Sequence, residues 1–355
     1  MLIGDEGFGS EIRVVLVGVG AIGSEISKLI LRRKGIRIVG AIDPDKAGKD
    51  LGEVIGLGKP LGITILKSID ELKTEAEIAI HATTSFLDKA YPQIVNLIKR
   101  CLNVISTCEE LSYPYIVSKE ISKSLDEMAK RHGVAVLGTG INPGFLMDTL
   151  VITLTAMCQD IERISAERVI DAAKRRLPFQ VKIGAGLSVE EFTEKMIKGE
   201  ITGHVGLKQS IAMIADALGL RLDEIIEDPV EPVIAEREIK SNFITVKPGS
   251  VAGLSQRAHG VINGKDFITL TFKAYIGALE EYDSIIIEGT PTIREKIAPC
   301  IHGDIATAAI IVNMIPKILN VEPGLKTMKD MQIPSAIMGD VRALVKGRNM
   351  SASLK

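Results

Sequence analysis

Tryptophan is absent from this 355-residue sequence, and cysteine and histidine are scarce, with four and five residues respectively. The cysteines form no CxxC pair, which indicates reduced thiols rather than a disulfide framework. The histidines form no HxH or HxxxH pair, so no metal site is predicted. The net charge is −2, and a chain without a basic excess is not expected to bind nucleic acid or an anionic membrane surface.

Long apolar runs are also missing. No stretch approaches the ~18–20 apolar residues of a membrane span, and the first residues, MLIGDEGFGSEIR, lack the apolar core of a signal peptide. We therefore expect a cytoplasmic protein. Hydrophobic residues make up 46% of the chain, enough for large cores. At roughly 100–200 residues per domain, the length predicts two domains.

The first part of the sequence alternates apolar strands with helices. Six apolar segments, beginning with Ile12–Val17, read as strands buried on both faces of a sheet. Helical segments connect them, which predicts an α/β domain, a Rossmann-type doubly wound parallel sheet, over residues 1–145. A final apolar helix, DIATAAIIVNMIPKIL, is expected to return to this domain within residues 303–335.

The pattern changes after GINPGFLMD. A long apolar helix is predicted at LMDTLVITLTAMC, followed by strand-like stretches and by helices near 188–198 and 205–218. Asn263-Gly264 separates two of the strands, as in a hairpin. These features predict an α+β domain on a largely antiparallel sheet over residues 146–302. We expect this domain to bind substrate and to mediate dimerisation.

A glycine motif follows the first strand and opens a helix. It fits the G-x-G-x-x-G pattern, whose glycines allow a tight turn, close approach of backbone to a pyrophosphate and close packing of helix on strand. The helix N-terminus adds N–H donors and partial positive charge. The predicted dinucleotide contacts of this motif are Gly18, Gly20, Ala21, Ile22 and Gly23.

Asp43 ends the second strand, 43 − 23 = 20 residues after the last glycine. A carboxylate at this place accepts the adenosine ribose hydroxyls and repels a 2′-phosphate, which favours NAD over NADP. Lys46 and Lys49 follow closely, and either is placed to turn onto such a phosphate. The cofactor is therefore NAD or NADP, with NAD favoured.

Small residues follow the fourth strand, where the nicotinamide half of a dinucleotide usually lies. Ala82, Thr83 and Thr84 are predicted to contact the cofactor there. His81 precedes them, and a hydrogen-bonded core histidine is favoured over a catalytic one.

Two adjacent glutamates, Glu109 and Glu110, follow the fifth strand at the same predicted sheet edge. A carboxylate beside the nicotinamide suits an amine substrate, because it holds an ammonium, accepts its proton and orients a water molecule. An alcohol substrate calls more naturally for Lys, His or Tyr. Glu109 lies nearer the strand end and is preferred, although both glutamates remain candidates.

Several segments carry a family resemblance, among them VGVGAIGSEI, STCEELSYP, GTGINPGFLMD and GHVGLKQS. Through them the chain resembles the dihydrodipicolinate-reductase-like oxidoreductases, and more closely the 2,4-diaminopentanoate dehydrogenase and native amine dehydrogenase family. The resemblance implies that a glutamate after the fifth strand contacts the substrate amine. It further implies that Asn142 and Pro143 lie near the nicotinamide and Phe145 near the substrate. By analogy with such oxidoreductases, we expect a homodimer.

The second domain is expected to bind the far end of the substrate. A diamino acid carries a carboxylate, for which arginine is the best bidentate partner, and Arg168 is the predicted contact. His204 and His259 are further candidates, each also consistent with a structural role.

The predicted activity is NAD(P)-dependent oxidative deamination of a small diamino acid, foremost 2,4-diaminopentanoate to 2-amino-4-oxopentanoate and ammonia. Two alternatives remain. One is an amine dehydrogenase for simple ketones and amines, and the other is a non-catalytic dinucleotide sensor.

Overall fold

A computed structural model describes residues 9–347. The chain divides into two compact units: unit 1 comprises the residues up to Phe145 and those from Gly303 on, and unit 2 is Leu146–His302. The first eight residues, part of the segment for which no signal peptide is predicted, lie outside the described residues. Within the described range, no helix is long and apolar enough to cross a membrane. Nor does a group of three or more His, Cys, Asp and Glu side chains there have an arrangement suited to a metal ion.

Strands form one large sheet in each unit and one short additional pair, and they are numbered in chain order. They are β1 (Ile12–Val17), β2 (Ile36–Ile42), β3 (Ile65–Leu66), β4 (Ile78–His81), β5 (Asn103–Ser106), β6 (Ala135–Gly138), β7 (Asp160–Asp171), β8 (Glu224–Glu227), β9 (Glu231–Ile234), β10 (Ile239–Lys240), β11 (Thr245–Val246), β12 (Val251–Ile262), β13 (Lys265–Tyr275), β14 (Tyr282–Thr290), β15 (Ile293–Ile297) and β16 (Gly324–Lys326).

The helices are numbered in the same way. They are α1 (Ala21–Ile30), α2 (Leu51–Val54), α3 (Leu87–Lys99), α4 (Lys119–His132), α5 (Thr149–Thr155), α6 (Leu177–Lys182), α7 (Val189–Ile197), α8 (Leu207–Ala217) and α9 (Gly303–Ile318).

Unit 1 contains a seven-stranded parallel sheet in the order β16-β6-β5-β4-β1-β2-β3. From β1 the sheet extends in one direction through β2 and β3, and in the other direction through β4, β5, β6 and β16, as in doubly wound sheets. The loops that follow the neighbouring strands β1 and β4 therefore diverge at the carboxyl edge of the sheet. The predicted Rossmann-type fold is confirmed. Helix α9 packs against α1, β5 and β6, as expected for the returning C-terminal helix. The edge strand β16 follows it and was not predicted.

Unit 2 contains a mixed sheet in the order β15-β14-β7-β13-β12-β8, with β9 also paired to β12. Only the pair β7–β13 is parallel, which confirms a largely antiparallel α+β unit. Asn263 and Gly264 both adopt positive φ, 51° and 71°, and form the predicted hairpin turn between β12 and β13. Helix α8 lies tightly on β12, because a Cβ at Gly260 would come within 2.7 Å of Ile211.

The helix predicted as long at LMDTLVITLTAMC is short. The Asp148 carboxylate accepts a hydrogen bond from the Thr149 backbone N–H at 2.5 Å, and α5 starts there and ends at Thr155. Leu146 and Met147 lie in the preceding turns. Their apolar side chains suit a helix or a buried turn equally. A prediction based on apolar composition therefore made the helix too long.

Candidate active site

The glycine motif forms the turn between β1 and α1. Gly18 has φ +93°, and a Cβ there would lie 2.4 Å from the Ala82 carbonyl oxygen. A Cβ at Gly23 would lie 2.1 Å from the Gly18 carbonyl oxygen. At Gly20, by contrast, a Cβ would meet no atom of the described chain within 4 Å. Gly18 and Gly23 are thus required for packing, whereas Gly20 leaves space open above the turn.

Helix α1 begins at Ala21, directly after Gly20. In the described part of the chain no side chain caps this helix end. The first N–H groups of α1 therefore stand at the turn with the positive end of the helix dipole. This arrangement is suited to an anionic group such as a pyrophosphate.

Asp43 lies beside this turn and is 8% exposed. Its carboxylate accepts hydrogen bonds from the Val19 N–H at 3.0 Å and the Asp45 N–H at 3.2 Å. The Lys46 ammonium forms an ion pair with it at 2.9 Å and also donates to the Val19 carbonyl at 3.0 Å. Burial raises the pKa of Asp43, but the bonds from Lys46, Val19 and Asp45 together leave the pKa below its ordinary value. The carboxylate is therefore ionised and fixed in position.

A cavity of about 460 Å³ opens between the glycine turn, Asp43 and α3. Five of the predicted dinucleotide contacts line it, namely Gly18, Gly20, Asp43, Ala82 and Thr83. The other predicted contacts are not among its lining residues, and these are Ala21, Ile22, Gly23, Lys46, Thr84, Asn142 and Pro143. Of these, Lys46 contacts the cavity residue Asp43, and the Thr84 hydroxyl accepts a hydrogen bond from the Phe86 N–H at 3.3 Å.

Sequence reasoning missed two groups of cavity residues. Lys67, Ser68 and Asp70 follow β3, whose carboxyl end meets the same sheet edge as those of β1 and β2. Gln93, Asn96 and Leu97 come from α3. Asn96 and Leu97 follow Gln93 at i+3 and i+4, which places all three side chains on one face of the helix. This helical spacing is the sequence signal by which they could have been found.

His81 is fully buried at the end of β4. Its Nδ1 lies 2.8 Å from the Ser106 hydroxyl, and its Nε2 lies 2.9 Å from the Thr83 hydroxyl and 3.1 Å from the Gln93 amide oxygen. Burial lowers the pKa of His81 to about 4. The ring is neutral and hydrogen-bonded, as favoured from the sequence.

Both glutamates that follow β5 are half-buried. Both belong to a 3-10 turn, Glu109–Ser112, that follows β5. The Glu110 carboxylate accepts a hydrogen bond from the Leu87 N–H at 2.7 Å and thereby caps α3, and the Glu110 N–H donates to the Ser85 carbonyl at 3.2 Å. Glu110 thus has a structural role at a helix N-terminus.

The segment around Asn142 is a compact turn. A Cβ at Gly144, which has φ +125°, would lie 2.4 Å from the Gly140 nitrogen. The Ile141 N–H donates to the Thr307 hydroxyl of α9 at 3.3 Å. Pro143 is buried, whereas Asn142 and Phe145 are half-buried. The predicted roles of Asn142, Pro143 and Phe145 toward cofactor and substrate stay predictions.

Arg168 is predicted to bind a substrate carboxylate, but its guanidinium is only 2% exposed. It forms an ion pair with Asp283 at 3.1 Å and donates to the Ile301 carbonyl. Burial raises the pKa of Asp283, and the Arg168 charge opposes this. Removing one partner of a buried pair leaves the other uncompensated, so these contacts give Arg168 a structural role in unit 2.

The two candidate histidines of unit 2 are also packed into it. The His204 ring stacks on Phe272 at a centroid distance of 4.4 Å. Burial, with added repulsion from Lys182 and Arg168, lowers the pKa of His204 to about 3. His259 lies between Asp228, 3.0 Å from Nε2, and Asp266, 3.1 Å from Nδ1. Their predicted roles in substrate binding remain predictions.

The buried histidines predict how stability depends on pH. The folded-state pKa of His81 lies below the ordinary 6.5, so the unfolded chain binds protons first as the pH falls. We expect the free energy of unfolding to decrease between pH 6.5 and about 4, by at most about 1.4 kcal/mol per pH unit for each such histidine. Urea unfolding between pH 7 and pH 5 measures this, and the slope should be smaller in His81→Gln. An equal slope in both proteins would contradict the assignment.

Comparison with known proteins defines the class of this protein. A family model described as dihydrodipicolinate reductase, N-terminus, matches residues 12–107. The solved structure of a dihydrodipicolinate reductase from Paenisporosarcina shares the fold, with a TM-score of 0.51, 12% identity, and coverage of 90% of this chain and 98% of that one. Together with the glycine turn and Asp43, these matches place the chain among the dinucleotide-binding oxidoreductases.

The second half of the chain narrows the class. A family model described as 2,4-diaminopentanoate dehydrogenase C-terminal domain matches residues 145–347. A 2,4-diaminopentanoate dehydrogenase from Acetoanaerobium sticklandii is 36% identical over 94% of this chain and 97% of its own length. The amine dehydrogenase structure from Mycobacterium smegmatis has a TM-score of 0.80 and 25% identity, covering 93% of this chain and 98% of that one. The chain belongs to the 2,4-diaminopentanoate dehydrogenase family, which confirms the resemblance.

Proposed function

We propose that this chain oxidises the C4 amine of 2,4-diaminopentanoate, with NAD or NADP, to 2-amino-4-oxopentanoate and ammonium. The relative of that name, 36% identical over 94% of the chain, supports the substrate. The structural observation that carries the chemistry is the glutamate turn after β5. It lies at the carboxyl edge of the sheet that bears the glycine turn, and its second carboxylate, that of Glu110, is used in capping α3.

The residues of unit 1 fit a dinucleotide. The turn at Gly20 and the N-terminus of α1 suit the pyrophosphate, and Asp43 is placed to accept the ribose hydroxyls. Ala82 and Thr83 follow the adjacent strand β4 and narrow the cavity beside Gly18. When bound, the dinucleotide accepts the hydrogen and electron pair that leave the amine-bearing carbon.

Glu109 performs the proton chemistry in this proposal. Its carboxylate holds the substrate ammonium and accepts one proton, which frees the nitrogen lone pair to stabilise the carbon as it is oxidised. It then orients a water molecule toward that carbon, and the nitrogen leaves as ammonium. Overall, the substrate ammonium, water and oxidised dinucleotide give ketone, ammonium, reduced dinucleotide and one proton. Glu109 lies nearer the end of β5 than Glu110 and is the glutamate assigned to this role.

Cofactor choice is assigned to the Asp43–Lys46 pair. Lys46 balances the carboxylate that a 2′-phosphate would approach, so Lys46→Met should raise the Kd for NADPH about tenfold while changing that for NADH less than threefold. Titration of NADH and NADPH fluorescence measures both constants. Lys123→Met is the matched control, since Lys123 is an exposed lysine of α4 outside the cavity lining and should leave both constants unchanged. Equal effects of the two variants would refute this assignment.

The deciding experiment for the function is the absorbance change at 340 nm with either dinucleotide and a panel of 2,4-diaminopentanoate, ornithine, alanine, cyclohexylamine and a secondary alcohol. Reduction with 2,4-diaminopentanoate but not with cyclohexylamine or the alcohol supports the proposal. Reduction with the alcohol alone would overturn the role of Glu109, and binding without any turnover would favour a sensor.

A second candidate is an amine dehydrogenase without a carboxylate requirement, which the 0.80 TM-score to such an enzyme favours. Comparable rates with cyclohexylamine would establish it. Arg168→Ala does not separate the two candidates, because loss of the buried partner of Asp283 destabilises unit 2 with either substrate.

A further inference from the structure

His81 joins two strand ends that carry different parts of the site. It is the last residue of β4 and lies in register with Ser106, the last residue of β5. Thr83, two residues after His81, lines the dinucleotide cavity, and Cys108, two residues after Ser106, directly precedes the glutamate turn. The imidazole therefore stands between the nucleotide cavity and the turn that bears Glu109.

The neighbours of the ring determine where its proton resides. The amide oxygen of Gln93 is only an acceptor, and it already receives the Thr83 hydroxyl proton at 3.0 Å. Nε2 lies 3.1 Å from the same oxygen, so an unprotonated Nε2 would set two lone pairs against each other. Nε2 thus carries the proton, and Nδ1 accepts one from the Ser106 hydroxyl.

These assignments give one continuous chain of donors. The Cys108 N–H donates to the Ser106 oxygen at 3.1 Å, and Ser106 donates to Nδ1 of His81. On the other side of the ring, Nε2–H is shared between the Gln93 oxygen at 3.1 Å and the Thr83 hydroxyl oxygen at 2.9 Å, and the Gln93 amide donates to the Lys89 carbonyl at 3.2 Å. The chain has an acceptor for every donor only when the ring is neutral, which agrees with its low pKa.

Loss of a hydrogen bond between His81 and Ser106 is costly because both side chains are buried. His81 and Ser106 are both fully buried, so losing one partner leaves a polar atom without access to water. Thr83 and Gln93, by contrast, both border the cavity and keep contact with solvent. The ring thus anchors two cavity side chains to the buried strand ends.

We propose that His81 is a positioning residue of the dehydrogenase. Through Nε2 it holds Thr83 and Gln93 at the dinucleotide cavity, and through Nδ1 and Ser106 it fixes the backbone at Cys108, from which the Glu109 turn starts. The first half concerns dinucleotide binding alone, and the second half rests on the proposed function of Glu109. A histidine that only filled core volume would affect stability without separating these two effects.

Two substitutions test the halves separately. The asparagine amide reaches the position of Nδ1, so His81→Asn retains an acceptor for Ser106 and loses the bonds to Thr83 and Gln93. The glutamine amide reaches the position of Nε2, so His81→Gln retains the donor to Gln93 and loses the acceptor for Ser106. We expect His81→Asn to raise the NADH Kd about tenfold with a smaller effect on kcat, and His81→Gln to lower kcat about tenfold with a smaller effect on Kd.

Variants that leave His81 in place provide the matched comparison. Thr83→Val should reproduce the Kd effect of His81→Asn, and Ser106→Ala should reproduce the kcat effect of His81→Gln. Combining His81→Gln with Ser106→Ala should add little to either single change, because both break the same bond. Thermal unfolding of each variant distinguishes a destabilised fold from a displaced side chain or turn at the site.

The NADH Kd is measured from the fluorescence of NADH itself, in a chain without tryptophan emission. Equal changes of Kd and kcat in His81→Asn and His81→Gln, or lowered melting temperatures with both constants retained, would overturn the proposal. If the unchanged protein binds NADH but oxidises no amine, the proposed function fails by itself. The Kd measurements still decide the first half, since an unchanged Kd in His81→Asn and Thr83→Val refutes it.

Discussion

Glu109→Gln is expected to lower kcat for amine oxidation by about 10²–10⁴-fold, the usual contribution of a positioned acid or base. Glutamine keeps the size and polarity of glutamate but can neither carry the charge that holds an ammonium nor accept its proton. Dinucleotide binding depends on the glycine turn and Asp43, so the NADH Kd should change less than threefold. Steady-state rates at 340 nm and NADH fluorescence titration measure the two quantities.

Glu110→Gln is the matched control for this substitution. Its carboxylate caps α3 through the Leu87 N–H, and a neutral amide oxygen still accepts that bond but loses the favourable interaction with the helix dipole. We expect a loss of about 0.3–1 kcal/mol in the free energy of unfolding with most of kcat retained. The reverse pattern, with kcat lost in Glu110→Gln and kept in Glu109→Gln, would transfer the catalytic role to Glu110.

Gly18→Ala is expected to abolish dinucleotide binding and to destabilise unit 1 by about 3 kcal/mol or more, from overpacking and backbone strain together. The positive φ of +93° already disfavours alanine by about 1 kcal/mol. The new Cβ would also lie 2.4 Å from the Ala82 carbonyl oxygen, and backbone cannot turn aside as a flexible side chain does. The loop after β4 would then separate from the glycine turn. Urea unfolding and NADH titration measure both effects.

Gly20→Ala separates the loss of fold from the loss of binding. Gly20 has φ −71°, which alanine adopts readily, and no atom of the described chain lies within 4 Å of the position that its Cβ would take. The variant should therefore unfold like the unchanged protein and yet bind NADH about tenfold or more weakly, because its methyl group enters the cavity. If Gly20→Ala binds NADH normally, the pyrophosphate does not approach this turn.

Most of the fold of unit 1 could be predicted because its signals are local. The continuous apolar run Ile12–Val17 and the glycine motif that follows define β1 and the start of α1 without reference to the rest of the chain. Strand β16 escaped prediction because three residues, Gly324–Lys326, carry no periodicity of their own. They become a strand only by pairing with Ala135–Leu137, nearly two hundred residues earlier.

The site was predictable only in part, for a related reason. Asp43 could be found by its distance in sequence from the glycines, since that distance reflects a fixed βαβ geometry. The helix-capping role of Glu110 depends on a hydrogen bond that its carboxylate accepts from the Leu87 N–H, 23 residues away. The burial of Arg168 depends on Asp283, its neighbour on the adjacent strand β14. No local pattern encodes either contact.

Strand β16 and helix α9 also have a consequence for biosynthesis. The sheet of unit 1 begins with β1 near the start of the chain, yet its last strand is synthesised only after the whole of unit 2. A nascent chain that has reached His302 has β6 as an open edge and lacks the apolar helix that covers α1. An open edge of this kind pairs readily with other chains. Ribosomes that stall late in this message would therefore release an aggregation-prone product, although every dinucleotide-binding residue assigned above had already been made.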